Sequence, residues 1–200
     1  ADLRAALASL RAGENALQQL CQQFTPSMVK RYMGELNAYT ATLMEKRLAK
    51  LPQDVLEAKE LLDDGTPLQV KVLPKEKKLH IDFAGTGGVH SGNMNANEAI
   101  VNSVVIYVLR LMLEREVPLN EGLMQDIKLL IPENSLLNPS FPDDPTQCPA
   151  VVGGNTETSQ RLTDTLLKAL GLAACSQGTM NNVLFGNDSF GYYETVAGGT

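Results

Sequence analysis

The sequence predicts an α+β fold: a mixed, mostly antiparallel sheet packed against helices and preceded by an N-terminal helix pair. Residues 1–50 show helical apolar spacing in two long segments. Residues 68–72 and 79–83 alternate apolar and polar side chains, which indicates a β-hairpin. Two more helical patterns begin near Glu98 and Glu157. We therefore divide the chain into a helical pair, residues 1–52, and an α+β domain, residues 53–200.

Composition limits the classes of partner. The 200 residues are 44% hydrophobic and 20% charged, with a formal net charge of -6 and a sequence pI near 5.0. Nucleic-acid binding needs clustered Lys and Arg, so this acidic balance argues against it. The most apolar run, residues 99–113, contains Asn102, Ser103 and Arg110 and is too short for a bilayer. We expect a buried helix there and no membrane or nucleic-acid partner.

The cysteines and histidines give no pattern of a metal or disulfide site. Cys21, Cys148 and Cys175 are far apart and form no CxxC motif, which favours a reducing, cytoplasmic compartment. His80 lies in a strand and His90 in a glycine-rich loop, with no third ligand near either in sequence. We therefore predict surface or loop histidines and no metal site. The chain begins without Met, and we expect a fragment of a longer protein.

The N-terminal helices are predicted at residues 2–24 and 26–50, and we expect them to form an antiparallel pair with a packing role. Pro26 suits the first position of the second helix, and Pro52 ends it. The apolar positions of the first helix are Leu3, Leu7, Leu10, Leu17 and Leu20.

Residues 54–64 are ambiguous between helix and strand. We favour a strand, which would make a three-stranded meander with the hairpin. The glycine-rich loop 85–97 then leads into a helix predicted at residues 98–116 and ended by Pro118. That loop is either an anion cradle at a helix N-terminus or a long turn capped by Asn95 or Asn97, and both alternatives stay open. A strand is predicted at residues 127–131.

Three polar loops, residues 153–161, 176–182 and 192–199, are expected to form one polar surface. In the first, a glycine pair between a short apolar run and a helix lets backbone approach closely. Asn155 or Thr156 can cap that helix, and Glu157 suits the positive end of its dipole. The helix is expected to bury leucines on one face and to end at Gly171. The leucines expected to be buried by this helix are Leu162, Leu166, Leu167 and Leu170.

A last strand begins at Phe190.

Six short motifs occur in order from residue 92 onward. They are GNMNA at 92–96, PLNEG at 118–122, SLLNP at 135–139, GNTETSQR at 154–161, SQGTMNN at 176–182 and YYET at 192–195. Together they resemble the hydantoinase B/5-oxoprolinase family, from about residue 54 to the end. The resemblance implies ATP-dependent opening of a cyclic amide such as hydantoin or 5-oxoproline.

The resemblance also implies partners and cofactors. A hydantoinase A-type ATP-binding subunit or half would bind ATP and phosphorylate the lactam oxygen, and an oligomer is expected. The His- and Asp-rich segments that resemble a metal site in the family lie upstream of this region. A divalent metal is therefore compatible with the full-length enzyme, but no ligand for it is assigned here.

Candidate site residues come from these motifs. Glu157 and Glu194 are candidate general bases, and Arg161 suits a carboxylate or phosphate. The alternative for each residue is that the polar groups satisfy one another and cap helix and loop ends. Two other hypotheses for the function of the chain remain. It is either a non-catalytic scaffold and subunit-contact portion of such an enzyme, or part of an acetone-carboxylase-type enzyme. Candidate substrate-binding residues are Asn93, Asn95, Asn155, Thr158, Gln160, Asn181 and Asn182.

Overall fold

The computed structural model describes residues 1–75, 77–113, 115–176, 178–179 and 181–196. These residues form four α-helices and six strands, which confirms the α+β prediction. The helices are α1 (Asp2–Phe24), α2 (Pro26–Leu48), α3 (Glu98–Leu111) and α4 (Thr158–Ala169). The strands are β1 (Leu56–Leu61), β2 (Pro67–Lys75), β3 (Lys78–Asp82), β4 (Ile127–Leu130), β5 (Asn181–Asn187) and β6 (Phe190–Val196). Short 3-10 turns cover Glu121–Leu123, Pro145–Gln147 and Gly153–Asn155.

The main sheet has the order β1-β2-β3-β4. The first three strands are antiparallel neighbours, and β4 runs parallel to β3. The strand alternative for residues 54–64 is thus confirmed, together with the mixed, mostly antiparallel sheet. Along β2 the side chains of Leu68, Val70 and Val72 are fully buried while their neighbours are half-buried. This alternation gives the sheet one strongly apolar face.

The hydrophobic core lies between that face and two helices. Helix α4 packs on β1 and β2, and α3 packs on α4. Leu162 and Leu166 of α4 are buried as predicted, whereas Leu167 and Leu170 are only half-buried. Helix α3 inserts an almost completely apolar face, as its position in the core requires. Its buried residues are Val101, Val104, Val105, Val108 and Leu109.

Several element boundaries differ from the sequence predictions. Helix α2 ends at Leu48, and α3 ends at Leu111 instead of near residue 116. After α3 the chain turns so that Val117 is buried and its carbonyl accepts a hydrogen bond from Arg110. Pro118 disfavours a helical backbone at Val117, which is buried instead in the segment after the helix. The predicted strand at 127–131 stops at Leu130.

A strand was missed near the C-terminus. Residues 181–187 form β5, which pairs antiparallel with β6, although residues 176–182 were expected to be loop. The β-forming residues Val183 and Phe185, followed by Gly186 and Asn187, carry the signal of a hairpin. Phe185 stacks on Tyr192 across the two strands, with ring centroids 4.7 Å apart.

The two N-terminal helices are adjacent, as predicted, but differ in burial. No residue of α1 is buried, whereas the second half of α2 buries Thr40, Ala41, Met44 and Leu48. Met44 and Leu48 belong to the same apolar cluster as β2 and α3. Division of the chain at residue 52 stays a prediction.

The length and the apolar character of the helices bear on membrane crossing. Within the described ranges, none of them combines the length and the apolar character that a bilayer span requires.

Gly122 offers a test of how α2 is attached. It is buried in the turn Glu121–Leu123, where an added Cβ would overlap the carbonyl oxygen of Asn37 in α2. We expect Gly122→Ala to lower the free energy of unfolding by about 1–3 kcal/mol, because well-packed sites accommodate extra atoms poorly. Urea denaturation measures this change.

Gly13→Ala is the matched control. Gly13 lies inside α1, and an added Cβ would meet nothing within 4 Å. Alanine should be neutral there or stabilise the helix by up to about 1 kcal/mol. Equal effects of the two substitutions would contradict a close contact between α2 and the turn.

Candidate functional site

A cleft of about 260 Å³ lies where the β1–β2 turn, the loop 85–97 and the N-terminus of α4 meet. Two of the three predicted catalytic residues, Glu157 and Arg161, line this cleft. The full lining is Leu62, Asp63, Asp64, His90, Met94, Glu157 and Arg161.

The glycine pair before α4 brings two segments of backbone together, as predicted. The Gly153 N–H donates to the carbonyl of Asn93 at 2.7 Å. A Cβ at Gly154 would overlap the carbonyl oxygen of Asn95, so only glycine permits this approach. The glycines therefore pack the turn Gly153–Asn155 onto the 93–96 loop.

The predicted cap of α4 was wrong. The N-cap position is Glu157, and no side chain caps the helix there. A capping side chain needs an extended backbone, whereas Thr156 and Glu157 both have helical φ and ψ angles. Thr156 instead donates its hydroxyl to the carbonyl of Gly153 at 3.3 Å.

Asn95 holds the loop 85–97 from inside. Its side chain is fully buried, and its Oδ1 accepts the His90 N–H at 2.7 Å. Its Nδ2 donates to the carbonyls of His90, Gly92 and Ala150, at 2.9, 3.3 and 3.0 Å. Asn97 caps α3 by accepting the Ile100 N–H at 3.0 Å, as one of the two alternatives for this loop predicted. All the hydrogen-bonding atoms of Asn95 are thus engaged with backbone.

Other predicted substrate-binding residues also contact backbone. Thr158 is fully buried and donates its hydroxyl to the carbonyl of Met94 at 2.6 Å. Gln160 donates to the carbonyl of Thr156 at 3.1 Å. Asn93 and Asn155 are exposed beside the glycine pair. These contacts give Thr158 and Gln160 a structural role, and a substrate-binding role for them stays a prediction.

Arg161 is held in the cleft by a weak partner. Its Nη2 lies 3.3 Å from Oδ1 of Asp63, whose side chain is fully exposed. The Arg161 side chain is one-third exposed, so its guanidinium is accessible to a ligand. An exposed ion pair of this kind contributes little energy and can be exchanged for another anion.

Glu157 is joined to the second polar loop. Its carboxylate accepts a hydrogen bond from the Thr179 hydroxyl. Asp164, one turn of α4 beyond Arg161, is bonded to Ser176 of the same loop. Burial raises the pKa of Asp164, while hydrogen bonds from the Ser176 N–H and side chain and the charge of Arg161 act in the opposite direction. Two of the three polar loops therefore meet at α4.

Glu194 does not line the cleft. It is exposed on β6 and accepts a hydrogen bond from the Tyr192 hydroxyl. Asn182 accepts from Tyr193 and Thr195, at 3.1 and 2.9 Å. Among the described residues, the side-chain hydrogen bonds of β5 and β6 all stay within that hairpin. The side chain of Asn181 and residues 197–199 lie outside the described part of the chain.

Sequence reasoning missed the pairing of His90 with Asp64. Nε2 of His90 lies 2.6 Å from Oδ2 of Asp64, across 26 residues of sequence. The Thr66 N–H donates to Oδ1 of Asp64 at 2.9 Å. Hydrogen bonds from the Thr66 backbone, then from its side chain and from His90, lower the pKa of Asp64 to about 2. The turn signal at residues 63–67 was visible in the sequence, but its histidine partner was not.

In residues 1–75, 77–113, 115–176, 178–179 and 181–196, no three His, Cys, Asp or Glu side chains are grouped so that they could hold a metal ion. The cleft instead offers one guanidinium, one imidazole and three carboxylates. Such a set can bind an anionic oxygen at Arg161 and accept a proton at Glu157.

Asn95 gives a prediction about stability. Asn95→Ala leaves the His90 N–H and three carbonyls without their partner, so the free energy of unfolding should fall by at least about 2 kcal/mol. Asn97→Ala, which removes only a helix cap, should cost about 1 kcal/mol. Urea denaturation of both variants compares the two, and a smaller loss for Asn95→Ala would contradict the role of its amide.

Asp64 gives a prediction about acid stability. Its pKa is about 2 in the folded chain and about 3.9 in an unfolded one, so its stabilising contribution is present above about pH 4. That contribution is lost as the pH falls through about 2. The difference in unfolding free energy between wild type and Asp64→Asn should therefore shrink between pH 4 and pH 2. Urea titrations across this range measure the difference in unfolding free energy. A difference that stays constant from pH 4 to pH 2 would contradict a lowered pKa for Asp64.

Comparison with known proteins identifies the family. A family model described as Hydantoinase B/oxoprolinase matches residues 1–200, so the match includes α1 and α2 as well as the region from residue 54. A 5-oxoprolinase from Dictyostelium discoideum is 40% identical over 100% of this chain and 16% of its own length. 5-oxoprolinase 1 from Arabidopsis thaliana is 37% identical over 99% of this chain and 16% of its own length.

A solved structure shares the fold. The ATP-dependent caprolactamase from Pseudomonas jessenii superposes with a TM-score of 0.75 at 21% identity, covering 97% of this chain and 35% of that one. The chain spans about 16% of the length of each of the two 5-oxoprolinases. The resemblance drawn from six sequence motifs is confirmed: the chain belongs to the hydantoinase B/oxoprolinase family.

Proposed function

We propose that this chain is part of an ATP-dependent hydrolase that opens cyclic amides, and that the cleft around Arg161 and Glu157 contacts the reacting group. The observation that carries the proposal is that the accessible guanidinium of Arg161 and the side chain of Glu157 line the same cleft. Family membership and the names of the relatives, two 5-oxoprolinases and an ATP-dependent caprolactamase, support the reaction class.

The proposed reaction proceeds through phosphorylated species. The γ-phosphoryl group of ATP is transferred to the lactam oxygen, which makes the ring carbon electrophilic. Water adds to that carbon, the C–N bond breaks as the nitrogen takes a proton, and an acyl phosphate remains. A second water releases inorganic phosphate and the carboxylate. Arg161 suits the anionic oxygens of these species, and Glu157 suits the water as a general base.

ATP binding is assigned to another component. The hydantoinase B family to which this chain belongs implies a partner of the A type, so we place ATP on a hydantoinase A-type ATP-binding subunit or half. We place the enzyme in a reducing, cytoplasmic setting, which the wide spacing of the three cysteines favours.

A scaffold function is the second candidate. The contacts of Asn95, Thr158 and Gln160 with backbone favour it, because these polar side chains are occupied without any ligand. The two candidates differ in what they require of Arg161 and Glu157. A scaffold needs neither side chain for turnover, whereas the hydrolase needs both.

Substitutions at the cleft separate the candidates. In the parent enzyme with its ATP-binding component, Arg161→Met should lower kcat/KM for lactam-dependent phosphate release by about 100-fold, with partial recovery in Arg161→Lys. Glu157→Gln should lower kcat by about 100-fold through loss of the base. Phosphate release is followed with 5-oxoproline, hydantoin and caprolactam.

Arg31→Met is the matched control. It removes an arginine from an exposed pair with Glu35 on α2, away from the cleft, and should leave kcat/KM within about twofold. Wild-type rates in folded Arg161→Met and Glu157→Gln variants would establish the scaffold function instead.

A further inference from the structure

The pair formed by His90 and Asp64 in the wall of the cleft carries a role beyond those given to Arg161 and Glu157. The His90 side chain is 17% exposed and that of Asp64 is 48% exposed. The backbone N–H and carbonyl of His90 are both bonded to the buried amide of Asn95. His90 is thus fixed at its backbone as well as at its ring.

The hydrogen bonds of the ring assign its tautomer. Nδ1 accepts the Gly92 N–H at 2.8 Å, so Nδ1 carries no proton. The ring proton therefore lies on Nε2 and is donated to Asp64 at 2.6 Å. Because both nitrogens are occupied, His90 has no free lone pair for a reacting group. The arrangement suits a residue that orients its neighbours.

The pair connects two walls of the cleft. Asp64 belongs to the β1–β2 turn, and His90 belongs to the loop 85–97. The residue before Asp64, Asp63, is the partner of Arg161 at 3.3 Å. A shift of the turn would change the distance between the Asp63 carboxylate and the Arg161 guanidinium, and with it the shape and charge of the cleft beside Arg161. The 2.6 Å contact between His90 and Asp64 restrains that shift.

We propose that His90 and Asp64 are a positioning pair that locks the β1–β2 turn against the loop 85–97 and thereby fixes the wall of the cleft that faces Arg161, where the anionic oxygens of a cyclic-amide substrate bind. The role rests on the proposed function of the cleft. It predicts that substitution of His90 weakens ligand binding with little loss of stability, because Asp64 is half exposed and keeps its hydrogen bond from the Thr66 N–H.

Two amide substitutions at residue 90 isolate the contact. Glutamine reaches as far as Nε2 and can donate to Asp64, whereas asparagine replaces the Nδ1 acceptor and ends short of Asp64. In the parent enzyme, His90→Asn should raise KM for 5-oxoproline about tenfold with kcat within about twofold, while His90→Gln should recover most of the loss. Adding Asp64→Asn to His90→Asn should cause no further rise in KM. Thermal denaturation of the two single variants at residue 90 should remain close to wild type, because Asp64 keeps its hydrogen bond from the Thr66 N–H.

Calorimetric titration of 5-oxoproline without ATP tests the pair independently of turnover. If wild type binds the lactam and His90→Asn weakens binding about tenfold, the pair is supported even where ATP-dependent hydrolysis is absent and the proposed function fails. If wild type hydrolyses the lactam and His90→Asn matches it in KM and Kd, the pair is refuted and the proposed function stands. Equal losses in the Gln and Asn variants would also refute the pair. Absence of both binding and hydrolysis in wild type would overturn both proposals.

Discussion

The cleft depends on one close packing of backbone on backbone, where Gly153 and Gly154 lie on the loop that contains Asn93 and Asn95. No side chain fits between the two segments, so the distance between the start of α4 and the loop is set by main-chain atoms. Side chains can adjust by changing rotamer, whereas a main-chain contact of this kind has little freedom. Glu157 and Arg161 follow the glycines on α4, and their positions relative to His90 are a consequence of this contact.

The buried polar groups reinforce the same arrangement. Asn95 and Thr158 are both fully buried and both bind main-chain atoms of another segment, Ala150 in the first case and Met94 in the second. In the described part of the chain, no buried side-chain nitrogen or oxygen lacks a hydrogen-bond partner. Since an unpaired buried polar group costs about 1–3 kcal/mol, each of these bonds disfavours alternative packings of the loop. The loop 85–97 has no regular secondary structure, but its conformation is fixed by these hydrogen bonds.

Sequence reasoning succeeded where the signal was local. Apolar periodicity of 2 identified β2 and β3, and a period of 3.6 identified α3 and α4, because those periods follow from which side chains meet the core. It failed at the end of α3, which stops at Leu111 although a longer helix was predicted, with Val117 buried in the segment that follows. The strand β5 was missed even though its residues have the composition of a hairpin, because its first residues belonged to a motif interpreted as loop.

In the candidate site, too, only the features with a local sequence signal could be predicted. Glu157 and Arg161 were predicted from a motif that brings both onto one helix. The contacts of Arg161 with Asp63 and of His90 with Asp64 join segments 98 and 26 residues apart, and no periodicity encodes such pairs. Nor did the sequence distinguish Asn95 from an asparagine that faces a ligand. The side-chain amide of Asn95 is fully hydrogen-bonded to backbone groups. Placement of Glu194 on a separate hairpin depends on tertiary structure in the same way.

Helix α2 has a mechanical consequence. It runs unbroken from Pro26 to Leu48, but it is anchored to the core only from about Asn37 onward. The first eleven residues form a projecting arm of roughly 16 Å at 1.5 Å per residue. A tilt of about 10° at the anchored end would swing the tip by about 3 Å, and α1 with its exposed leucines is joined to that tip through Thr25. Any tilt of α2 about its anchored end would therefore be amplified into a larger displacement of α1.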